Sequence, residues 1–163
     1  MKVKKISTYG LILALALIFS YIEFLIPIPI GIPGVKLGLA NSVIVILLYR
    51  QDMREAAMVS LMRVVLMGIL FGNFSMMVYS MAGAIASLIS MWGIKKVKCF
   101  SMVGVSIVGG VFHNMGQLLI AMLVLETTMF GYYFPILLIS GCVTGAVIGM
   151  IGSEIIKRMK FVG

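Results

Sequence analysis

Long apolar runs alternate with short polar clusters along the whole chain. The first run covers residues 9–26, with Glu23 near its far end. Pro27, Pro29 and Pro33 follow; they cannot continue a helix and predict an extended or turned segment. The second run, 37–49, has only 13 residues, roughly 20 Å of helix, against a hydrocarbon core of about 30 Å. The shortfall predicts that the preceding loop dips inward to meet the helix. Further runs cover 56–71, 74–92, 101–125 and 134–156, separated by Arg50/Asp52/Arg54, Gly72–Asn73, Lys95/Lys96/Lys98 and the 126–133 loop. The pattern predicts six membrane-spanning helices in a single transmembrane domain, 1–163, with no soluble domain or low-complexity linker.

Composition strengthens this reading. Hydrophobic residues make up 62% of the 163 residues and charged residues only 11%; mean hydropathy is +1.19. A soluble domain carries about a quarter charged residues, so the expected class is an all-α integral membrane protein. The first run is long for a signal-peptide core and no small-residue cleavage site follows it, so it is read as a retained span.

Charge then sets direction. Lys and Arg outnumber Asp and Glu 13 to 5. With both termini in the cytoplasm, the N-terminus, residues 50–54, residues 94–100 and the C-terminus are inner segments. They hold 11 of the 13 basic residues, as the positive-inside rule requires. The basic balance therefore reads as topology and headgroup contact, not nucleic acid. Two basic residues stand apart: Lys36 in the first outer loop and Arg63 in mid-membrane.

Depth groups the remaining polar residues. The third and fifth spans run from inside to outside, so Arg63 and His113 lie near mid-membrane. Gln117 is one turn beyond His113, roughly 6 Å further out. Asn73 sits at the outer end of the third span, and Tyr79 lies over a turn into the fourth. Lys36 and Asn41 approach from the 30–41 stretch, IGIPGVKLGLAN. Lys36, Asn41, Arg63, Asn73, Tyr79, His113, Asn114 and Gln117 are thus the candidate substrate-binding residues, facing the outer half of one cavity. An arginine at mid-membrane costs at least about 2.5 kcal/mol, and its planar fork suits carboxylate or phosphate. Structural glue, with carbonyls, asparagines or Glu23 satisfying Arg63, is the competing explanation. Small residues at four-residue spacing (Gly141, Gly145 and Gly149; Ala82, Ala86 and Ser90; Ala16 and Ser20) predict close helix packing or a docking face. The 15 methionines are read as adaptable packing.

Several chemistries are unsupported. One histidine and one aspartate argue against a protein-built transition-metal site. Cys99 and Cys142 have no metal-ligand spacing and predict no disulfide. There is no phosphate-loop motif and no defensible nucleophile–base pair. No cofactor and no catalytic residue are expected.

Five strings, PGVKLGLAN (33–41), LMRVVLMGILFG (61–72), the 81–92 segment ending SMW, GVSIVGGVFHNMGQ (104–117) and YFPILLISGCVTG (133–145), resemble the Gx transporter family. Its members are also labelled heptaprenyl diphosphate synthase component I. The family resembles the substrate-binding S components of energy-coupling factor (ECF) transporters. That resemblance implies a six-helix bundle with both ends cytoplasmic, in the cell membrane. It further implies capture of a scarce solute from the outer side, and a separate transmembrane coupling protein with ATPases as partners. The expected ligand is a small anionic solute bearing phosphate, diphosphate or carboxylate. Ala16 and Ser20 resemble the face such proteins offer to the coupling subunit. The synthase label implies an alternative: a non-transporting accessory subunit of prenyl diphosphate, quinone or flavin-linked electron-transfer metabolism. Prenyl diphosphate synthases need paired aspartate-rich motifs, and this chain has only Asp52, so it is not expected to be an enzyme itself.

Overall fold

The computed structural model describes residues 2–25, 38–97 and 99–159. Lys36 and the expected inward dip of the 27–38 loop, apart from Gly38, lie outside the described residues. Six helices are present: α1 Lys2–Leu25, α2 Leu39–Arg50, α3 Met53–Leu70, α4 Phe74–Lys96, α5 Met102–Val124 and α6 Phe134–Met159. A short 3-10 helix, Met129–Tyr133, leads into α6. No strand occurs among the described residues. The fold is an all-α bundle of a multi-pass membrane protein. Four segments are long and apolar enough to cross a membrane: Ile6–Leu25, Phe74–Lys96, Met102–Val124 and Gly131–Arg158. The other two helices fall short for physical reasons. α2 has 12 residues, about 18 Å, and α3 carries Arg54, Glu55 and Arg63 within 18 residues.

The helices neighbour one another in a closed ring, α1–α3–α4–α5–α6–α2, with α2 also packed on α3. α2 is the most enclosed element: Ala40, Ile44, Val45 and Leu48 are fully buried. The first N–H groups and last carbonyls of α2, like those of any helix, lack partners within the helix. Neighbouring helices supply the partners. Glu23 Oε1 of α1 accepts the Leu39 N–H at 2.9 Å, placing negative charge at the positive end of the α2 dipole. Lys95 Nζ of α4 donates to the Leu48 carbonyl at 2.5 Å and stands over the Tyr49 ring, 5.2 Å from its centroid. Lys95→Met should therefore cost about 1.5–3 kcal/mol, the range for a hydrogen bond to a charged group. A lower unfolding temperature in detergent would show it; an unchanged melt would mean that the Leu48 carbonyl is satisfied otherwise.

The small-residue stripes are used within the chain. A methyl group on Gly145 would sit 2.6 Å from Ile107 Cα, and one on Gly149 2.6 Å from Val103 Cα. Gly141 and Gly110 meet backbone to backbone. α6 thus lies directly on α5, an approach only glycine permits. On the other side of α5, Gly116 meets the Ala82 carbonyl and Ala86 of α4. Ala16 is fully buried and Ser20 is 8% exposed. That pair faces into the bundle, so it is not a surface open to a coupling subunit.

Candidate functional site

A cavity of about 80 Å³ lies inside the ring, and all six helices line it. Its walls come from the C-terminal part of α1 (Ser20, Glu23, Phe24) and the start of α2 (Gly38, Asn41). α3 adds Arg63 and Met67, and α4 adds Met76, Met77 and Ser80. His113 and Asn114 come from the middle of α5, and Thr144 from α6. Each set recurs at three- or four-residue spacing, the period that puts side chains on one helix face. On α1 to α4 the cavity sits towards the bundle end remote from the two chain termini. A water needs at least about 10–15 Å³ of such space, so the cavity holds several waters or one compact group.

Arg63 is the electrostatic centre. Its Nη1 donates to Ser20 Oγ at 3.3 Å, and the same hydroxyl donates to the Ala16 carbonyl at 2.9 Å. Arg63 Nε is buried without a partner among the described residues. A guanidinium offers five N–H donors, and leaving a buried one unmet is costly. Glu23 lines the same cavity, yet no ion pair joins the two among the described residues. The Glu23 carboxylate is instead turned to the α2 N-terminus.

The other polar walls have identifiable supports. Gly38 precedes α2 with φ +73°, a conformation suited to glycine. Its carbonyl accepts the Asn41 N–H at 2.8 Å. Asn114 Nδ2 donates to the Leu137 carbonyl at 2.8 Å, tying α5 to α6 beside the cavity. Thr144 Oγ1 donates to the Ser140 carbonyl at 2.9 Å. Tyr21 and Phe71 rings stand 4.7 Å apart, close to Phe24, at the α1–α3 end of the cavity.

Of the eight residues grouped by sequence, the fold brings Asn41, Arg63, His113 and Asn114 to this cavity. Asn73 is placed elsewhere: it caps α4, its Oδ1 accepting the Met76 N–H at 2.8 Å. Gln117 shares the His113 face, but its Cγ packs against Gly83 of α4. Tyr79 is not among the lining residues. Lys36 lies outside the described residues. Sequence grouping missed Ser20, Glu23, Ser80, Thr144 and the three methionines. The Ser20/Glu23 and Met76/Ser80 spacings carried the signal, since each pair falls on one helical face.

An all-α membrane bundle with a small, largely apolar cavity that carries a few polar groups around an under-satisfied arginine is the class these features define. Within that class, the profile of heptaprenyl diphosphate synthase component I matches residues 12–155. The chain belongs to that family, the one its sequence strings resemble. No curated protein matches the chain, and no solved structure does.

Proposed function

We propose that this protein is a membrane solute-binding subunit, an S-component-like importer of a small solute bearing an anionic group. In this reading all six helices span the cytoplasmic membrane with both termini inside. Solute enters from the outer side, and a separate coupling protein with ATPases supplies the energy. The observation that carries the reading is Arg63: a charged fork that lines a cavity formed by all six helices and whose Nε is buried without a partner among the described residues. An arginine used only as glue would be expected to have its donors met by the surrounding bundle, since each unmet donor is costly in lipid. The chain itself is not proposed to be an enzyme. Its single aspartate supplies no paired acidic motif for Mg²⁺–diphosphate chemistry.

Comparing spent defined medium from cells with and without the intact chain tests this directly, whatever the identity of the solute. Cells carrying the chain should deplete one small ionic solute, and depletion should stop when the coupling ATPases are inactivated. Identical spent media would remove the transport reading. Stable co-purification with a prenyl- or quinone-metabolising complex, without solute depletion, would support the accessory-subunit alternative.

A further inference from the structure

Among the described residues, two groups of opposite charge line the cavity without pairing. Ser20 and Glu23 are three residues apart on α1, so they share a face at levels separated by about 4.5 Å. Arg63 is bonded at the Ser20 level, whereas Glu23 is bonded to the start of α2. Both line the same cavity, yet they form no ion pair among the described residues. Each is tethered to a different neighbour, Arg63 to the Ser20 hydroxyl and Glu23 to the Leu39 N–H.

We propose, building on the solute-binding reading above, that the cavity takes a small zwitterion, its carboxylate on Arg63 and its ammonium on Glu23. Three features select that class. Among the described residues, Arg63 lines the cavity with only Nη1 engaged, by Ser20, and its guanidinium fork suits a planar carboxylate. Glu23 uses Oε1 for the Leu39 N–H, and a carboxylate offers about four acceptor sites, so capacity for an ammonium remains. A purely anionic ligand on Arg63 would lie beside the Glu23 carboxylate, and a diphosphate would do so with several charges at once. The zwitterion matches each of the two described charges with its opposite. Met67, Met76, Met77 and Phe24 on the same walls provide adaptable apolar contact for its side chain. A volume of about 80 Å³ restricts the ligand to a compact molecule, since drug-sized ligands occupy pockets of about 300 Å³ or more.

The test is thermal stabilisation of the full-length protein in lipid nanodiscs by a panel of probes. The panel holds the common α-amino acids, β-alanine, the matching carboxylic acids without the amine, inorganic phosphate and pyrophosphate. At least one amino acid should raise the unfolding temperature, and its des-amino counterpart should not. Glu23→Gln keeps an acceptor at the α2 N-terminus, so the protein should still fold, but its apparent affinity for that amino acid should fall about tenfold or more. If only carboxylic acids or phosphates stabilise, and Glu23→Gln binds them equally or more tightly, the zwitterion assignment is overturned while solute binding stands. If no probe stabilises the protein, the zwitterion assignment is overturned as well, and the solute-binding reading then rests on the spent-medium comparison alone.

Discussion

Arg63→Ala should reduce solute depletion from the medium by about ten- to a hundredfold while leaving the amount of folded protein unchanged. The size follows from losing charge-assisted hydrogen bonds worth about 1.5–3 kcal/mol. Protein level should hold because Arg63 makes only one hydrogen bond to a described side chain, to Ser20, and its removal relieves a buried, unmet Nε. Arg63→Lys should recover only part of the loss, since an ammonium cannot present the planar fork. If Arg63→Ala instead unfolds the protein and leaves surviving molecules fully active, the arginine is structural glue.

Gly145→Leu should have the larger effect on folding. The added carbon begins 2.6 Å from Ile107 Cα and 2.7 Å from the Ser106 carbonyl oxygen. Both are backbone atoms, so no side chain can swing away, and α6 must move off α5. Overpacking of this kind costs about 1–3 kcal/mol or more. Here it would also break the Asn114–Leu137 tie that steadies the cavity wall. We expect loss of the monodisperse peak in size-exclusion chromatography. Gly10→Leu provides the control, because no atom lies within 4 Å of a carbon added there. Equal behaviour of the two variants would show that α5 and α6 are not in this close contact.

Hydropathy alone located the helices, because each apolar run needs a polar break before the next. Their ends were less legible. α1 begins at Lys2 within the basic segment, and α4 continues through Lys95 and Lys96, since lysine is a good helix former whatever its charge. Depth counting brought Arg63, His113 and Asn114 together because the third and fifth helices run in the same direction. It could not separate a cavity wall from a capping position. Asn73 immediately precedes Phe74, the first helical residue of α4, and its side chain satisfies the Met76 N–H, a preference readable in the sequence once the helix start is known. Gln117 shares the His113 face but meets Gly83 of α4. Depth puts Glu23 close to the outer end of the first span, the nearest acidic residue to Arg63 but not at its level. Its bond to Leu39 joins residues sixteen apart across two helices, and no local pattern encodes such a contact.

Native mass spectrometry tests the central claim, that the cavity around Arg63 holds a small solute. Wild-type and Arg63→Ala protein would be purified identically in mild detergent from the membranes in which they are made. The wild-type ion should carry a compact small-molecule adduct that the Arg63→Ala ion lacks. The same adduct on both proteins, or none on either, would contradict the account.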